Sequence, residues 1–158
     1  MLRPNNPEFK SRDIGGTIAK SNPIIIKPHS MSYVKIWIHA VWATKNREPF
    51  LSKQLRRQLF PHIIEYARTK NIYITCMNGY TDHVHCLISL GPDQSIAEVI
   101  KLIKGESSFW INRNQLCSSR FEWQNEYSAF SVSESKLSEI KNYIRNQEEH
   151  HMKKSFQQ

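Results

Sequence analysis

The chain has 158 residues with 39% hydrophobic and 23% charged content, which suits one globular domain with a real core and excludes a disordered or fibrous protein. No apolar run approaches the roughly 20 residues that cross a bilayer, and the longest aliphatic block near the start, Ile24-Ile25-Ile26, is too short for a secretory signal. With 22 Lys and Arg against 14 Asp and Glu, the net charge of +8 favours a polyanionic partner; lacking a basic amphipathic helix, the chain reads as a nucleic-acid binder rather than a membrane protein.

Residues 1–30 carry Pro4, Pro7, Pro23, Pro28 and the pair Gly15-Gly16 without periodicity, and read as a flexible extension. Met31 opens the domain, residues 31–158, and is a candidate start of translation. In "YVKIWIHAVWAT", Tyr33 to Thr44, alternation puts Val34, Ile36, Ile38, Ala40 and Trp42 on one face of a strand. "LSKQLRRQLFPHIIEYARTK" repeats Leu55, Leu59, Ile63 and Tyr66 at helical spacing, with Pro61 expected to kink or split the helix.

"NIYITCM", Asn71 to Met77, predicts a second strand; Asn78-Gly79 is expected to turn the chain, and "HVHCLISL" returns as a third. Ser95 and Glu98 predict a capping box for a helix over "IAEVIKLIKGESSFWINR". A polar loop precedes a short strand, "SAFSVS", and Ser133 is expected to cap a last helix reaching about His150. The order β-α-β-β-α-β predicts an α+β, ferredoxin-like fold: an antiparallel sheet with helices on one face, plus a C-terminal helix. Fold alone assigns no function.

Cys76, Cys86 and Cys117 stand far apart without CxxC spacing, which reads as reduced thiols of a cytosolic protein. Two histidines stand out more. On a strand, His83 and His85 project from one side while Val84 and Cys86 face the other. Such a pair can share a divalent ion, or one ring can face water while the other is satisfied in a core. A metal also needs a third ligand. In the last helix Leu137, Ile140 and Ile144 form an apolar stripe, with Tyr143 and Gln147 four residues apart at its edge. From the residues alone, the plainer reading is a tyrosine finishing the hydrophobic face beside a surface glutamine.

The segments "DHVHCLI", "YSAFSVS" and "YIRNQEEHH", with "HAVWATKNREPFL" and "IKGESS", resemble the single-tyrosine HUH transposases, the insertion sequence 200-like group, over roughly residues 31 to 152. The resemblance implies that His83 and His85 are metal ligands, Gln147 the third ligand to Mg²⁺ or Mn²⁺, and Tyr143 the nucleophile that cuts single-stranded DNA. It implies a 5′-phosphotyrosine link, a free 3′-hydroxyl, DNA with hairpin ends as partner, and a homodimer in which the tyrosine helix of one subunit can complete the site of the other. A phenol ionises at about pH 10 in water, so help from a divalent ion that polarises the phosphate makes chemical sense.

Asp82 could orient a histidine from behind, or be an ordinary turn residue. Lys45, Arg47, Lys101, Lys104 and Arg113 are candidate DNA contacts, while Trp42, Trp110 and Trp123 read as core. His150 and His151 are left outside the site. Three rival readings remain: a host-repurposed relative cutting palindromic repeats, a non-catalytic ferredoxin-like nucleic-acid-binding module, and a zinc site using Cys76 or Cys86.

Overall fold

A computed structural model describes residues 33–149. The extension over residues 1–30, the start at Met31, the domain limit at residue 158 and the pair His150-His151 lie outside the described residues. Strand β1 (Ile36–Ala43) is followed by helix α1 (Lys53–Thr69), strands β2 (Tyr73–Gly79) and β3 (His83–Leu90), helix α2 (Ile96–Arg113), strand β4 (Ser128–Val132) and helix α3 (Leu137–Arg145). The four strands form one antiparallel sheet in the order β2-β3-β1-β4. This is the ferredoxin-like arrangement expected from the element order.

One face of the sheet carries Ala40, Trp42, Val84, Cys86 and Ile88, all buried against Leu55, Leu59 and Ile63 of α1 and Val99, Ile100 and Ile103 of α2. Each such side chain removed from water contributes about 1.5–3 kcal/mol. His62 of α1 contacts Glu106 of α2 at 2.8 Å and stacks on Trp110, which ties the two helices together. The opposite face carries His83, His85 and Leu87, and α3 lies across it with Ile144 fully buried. Helices α1 and α2 share one face, as expected, and the C-terminal helix covers the other.

The sequence expectations fail at several local points. Pro61 does not split α1, which runs unbroken from Lys53 to Thr69. Its ring leaves the Arg57 carbonyl without an intrahelical partner, but Arg57 and Pro61 both face solvent, where water can serve that oxygen. Asn78-Gly79 is not the turn: both residues belong to β2, and the chain reverses over residues 80–82. The register shifts between Ile74 and Cys76, so Thr75 is an extra residue. That bulge lets Ile74 and Met77 both meet the core and turns Cys76 and Asn78 toward α3.

The capping box at Ser95 and Glu98 is absent, because the Ser95 side chain makes no cap hydrogen bond. Gln94 orders this entry instead, accepting from the Gly91 N–H at 2.9 Å and donating to the Asn71 carbonyl at 2.9 Å. Ser133 does not cap α3 either: a 3₁₀ turn, Glu134–Lys136, intervenes, and its hydroxyl pairs with Ser135. The polar loop before β4 buries Phe121 and Trp123 in the core. Asn112 holds it, accepting from the Phe121 N–H at 2.8 Å and donating to the Phe121 carbonyl at 2.9 Å.

Candidate active site

Strand β3 begins at His83, and the backbone just before it is unusually close. A Cβ added at Gly79 would sit 2.3 Å from the His83 carbonyl oxygen, so only glycine fits. The Tyr80 N–H donates to the same carbonyl at 3.0 Å. His83 and His85 then leave the sheet together, ring centroids 5.1 Å apart and planes at 74°, both buried. The alternation argument placed them on one side, and there they stand.

Each ring is oriented from behind through Nδ1. The Asp82 carboxylate lies 2.6 Å from His83 Nδ1, and its other oxygen accepts from Arg47 at 3.0 Å. Burial pushes the Asp82 carboxyl up, but hydrogen bonds and charge from His83 and Arg47 outweigh it and hold the group below its usual range. Arg47 comes from a loop in which Asn46 and Arg47 both have positive φ, 55° and 57°. Such backbone costs on the order of 1 kcal/mol per residue and persists where surrounding bonds fix it. Here Thr44 does so, its hydroxyl donating to the carbonyls of Glu48 and Asp82 at 2.7 and 3.1 Å.

His85 has a different support. Its Nδ1 lies 3.0 Å from His39 Nε2, and the two rings stack with centroids 5.2 Å apart. Burial lowers the His39 pKa, which favours the neutral ring, whose Nε2 can accept a hydrogen bond from His85 Nδ1–H. His39 escaped the sequence reading because it sits between two core residues of a strand. Its signal is its own alternation: it faces away from Ala40 and Trp42, toward the side that bears His85.

Tyr143 is on α3, its ring centroid 5.5 Å from His85 and 6.1 Å from His39, edge-on to both. It is 38% exposed, while its neighbour Ile144 anchors the helix. Two residues of the bulged strand hold α3 from below: Asn78 donates to the Arg145 carbonyl at 2.8 Å, and the Cys76 thiol contacts the Lys141 carbonyl at 3.9 Å. The helix breaks at Asn146 and resumes over residues 147–149. Gln147 is 1% exposed, no surface glutamine, and its side-chain N–H donates to the Tyr143 carbonyl at 3.1 Å. Beyond it, Glu148 accepts from the buried Arg56 at 2.6 Å and from Lys53 at 3.3 Å.

The donor set fits a divalent ion. With Nδ1 of both imidazoles engaged, each would offer Nε2 to an ion, and Gln147, whose amide nitrogen is turned to the helix, would offer its amide oxygen. Two imidazoles and an amide oxygen suit Mn²⁺ and, less strongly, Mg²⁺, and leave positions for phosphate oxygens. Among the described residues no group of three His, Cys, Asp or Glu is placed to hold a metal. The zinc reading gains no cysteine there: Cys86 is wholly buried on the face packed by α1 and α2, where burial pushes its thiol far up, and the Cys76 thiol contacts the Lys141 carbonyl.

The candidate DNA contacts do not form one cluster. Arg47 lines a cavity of about 420 Å³ beside His83. Lys45 is paired with Glu122 at 2.6 Å. Lys104 donates to the Gln124 and Asn125 carbonyls, so its charge fixes a loop. Lys101 is exposed on α2, and Arg113 lies over the Phe109 ring at 5.8 Å. Trp42 and Trp123 are buried, as expected.

A ferredoxin-like sheet with an oriented histidine pair and a tyrosine helix across it defines a class, and the comparisons name it. Residues 32–147 match the family described as transposase IS200 like. The chain belongs to that family. It is 28% identical over 114 residues to the ISDra2 transposase TnpA of Deinococcus radiodurans, across 69% of this chain and 81% of that one. Its fold is similar to a crystal structure from Deinococcus radiodurans described as a transposase, at TM-score 0.60 and 24% identity, covering 77% of this chain and 98% of that chain. It is also similar in fold to a REP-associated tyrosine transposase bound to a REP hairpin, at TM-score 0.56 and 19% identity over 80% and 74% of the two chains. No helix among the described residues is long and apolar enough to cross a membrane.

Proposed function

We propose that this transposase cuts and rejoins single-stranded DNA through Tyr143, with Mg²⁺ or Mn²⁺ held by His83, His85 and Gln147. One observation carries the reading: an exposed phenol stands 5.5 Å from an imidazole that is itself oriented for coordination by His39. The bound ion would polarise the scissile phosphate and offset charge developing on its oxygens. Asp82 and His39, each beside an Nδ1, support a tautomer in which the two imidazoles would present Nε2 to the ion. Tyr143 Oη forms a bond to phosphorus as the bond to the 3′-oxygen breaks, and the proton that the phenol gives up is returned through water to that oxygen, which leaves as a 3′-hydroxyl. The product is a 5′-phosphotyrosine, and attack by a 3′-hydroxyl on it restores the diester without external energy.

The reading extends to DNA with hairpin ends, which the fold accommodates in a relative bound to a REP hairpin, and to a homodimer, which rests on the family resemblance. The catalytic set would be the same in a host-repurposed protein cutting palindromic repeats, so the DNA alone separates these two. Labelled single strands carrying element ends, incubated with and without Mg²⁺ or Mn²⁺ and run on a denaturing gel, test the proposal. Metal-dependent covalent adducts are expected. Binding without any adduct would favour the non-catalytic module.

A further inference from the structure

Helix α2 has two faces. Ile100, Ile103, Ser107 and Ile111 are buried in the core. The other face, Lys101, Gly105, Ser108 and Phe109, forms one side of a cleft of about 720 Å³, with Arg120 and Tyr127 opposite. Phe109 is 60% exposed, a large apolar ring in the cleft wall with the Arg113 guanidinium 5.8 Å over it. The one carboxylate in the wall, Glu122, is occupied by Lys45 at 2.6 Å and Arg120 at 3.8 Å. The far wall is fixed rather than loose, since Lys104 holds the carbonyls of Gln124 and Asn125 and Asn112 clamps Phe121.

Gly105 is the second observation. A glycine inside a helix costs about 1 kcal/mol relative to alanine. Packing does not require it, because an added Cβ would meet nothing within 4 Å. Its effect is to leave the floor of the cleft open. The cleft also leads somewhere: it shares Gln124 and Tyr127 with the cavity of about 420 Å³ that touches His83 and Arg47.

We infer that this cleft binds unpaired nucleotides of the DNA strand that runs to the histidine pair, bases stacking on Phe109 and phosphates meeting Lys101 and Arg120. Cation plus aromatic ring is the combination that grips single strands without reading sequence. A duplex keeps its bases stacked on one another and has no use for the ring. The inference rests on the proposed single-stranded DNA activity, and its test is separable from that activity.

The test uses the full chain carrying Tyr143→Phe, which prevents turnover, and fluorescence anisotropy with labelled single strands of graded length. Gly105→Leu fills the cleft without touching the core, and Phe109→Ala removes the ring. Each should weaken strands long enough to reach the cleft about tenfold, leave short strands unchanged, and leave a blunt duplex unchanged. Gly105→Leu should keep or raise the melting temperature. Lys101→Ala should lower the salt dependence of single-strand binding by about 0.7 in logarithmic slope. Equal binding by Gly105→Leu and Phe109→Ala at every length overturns the cleft, even if the Tyr143 enzyme forms adducts. A length dependence lost in both variants supports the cleft, even if the Tyr143 enzyme forms none.

Discussion

His39 Nε2 and His85 Nδ1 are 3.0 Å apart, a buried pair of imidazoles within hydrogen-bond reach of each other. Replacing His39 by Ala removes the acceptor that fixes the His85 tautomer. Loss of such a supporting group lowers metal affinity about 10–100-fold. Titration of Mn²⁺ by electron paramagnetic resonance should show that drop, with His39→Gln retaining more affinity than His39→Ala. Unchanged Mn²⁺ binding in His39→Ala would make the contact a matter of packing.

The Arg47–Asp82–His83 relay predicts a coupled effect. Asp82→Ala should weaken Mn²⁺ binding, and adding Arg47→Ala should cost less than its single effect, because both act on one ring. The folded Asp82 carboxyl lies below its usual range, so its contribution to stability is present above about pH 4 and lost on further acidification. Acid denaturation of Asp82→Asn should lack that component. Strictly additive losses would contradict the relay.

Gly79→Ala places a methyl carbon 2.3 Å from the His83 carbonyl oxygen, and backbone must move to admit it. A loss of about 1–3 kcal/mol follows from forced overpacking. Urea denaturation measures it. A wild-type midpoint would mean that the approach at His83 is looser than described.

Helix α3 is held at its far end by Glu148, whose partner Arg56 has only 8% of its side chain exposed. Among the described residues Arg56 Nη1 is buried with no hydrogen-bond partner. Glu148→Gln should destabilise by on the order of 1–3 kcal/mol and loosen α3. Cys76 reports the loosening, since its thiol, held up by burial, touches the Lys141 carbonyl of that helix. Alkylation of Cys76 at neutral pH should be slow in the wild type and faster in Glu148→Gln. Equal rates would show that α3 stays docked without the ion pair.

Strand and helix periodicity made the sheet, α1 and α2 legible, and α2 runs over the predicted Ile96–Arg113. Alternation also sufficed to put His83 and His85 on one side. What stayed hidden depends on contacts distant in sequence. The bulge at Thr75 re-aims Cys76 and Asn78, which no local pattern announces. His39 becomes a site neighbour only through the pairing of β1 with β3. Gln147 is buried where helical spacing read surface, a tertiary effect that its own segment does not announce. Gly79 looked like turn chemistry, and its reason is a close approach to His83.

The decisive measurement is the site of the covalent link. The protein is incubated with a single-stranded element end and Mn²⁺, the DNA is trimmed by nuclease, and the peptides are read by tandem mass spectrometry. The account predicts a nucleotide 5′-phosphate on Tyr143, formed only with the metal and absent from Tyr143→Phe. A nucleotide on any other residue, or an adduct of the same yield in Tyr143→Phe, would contradict it.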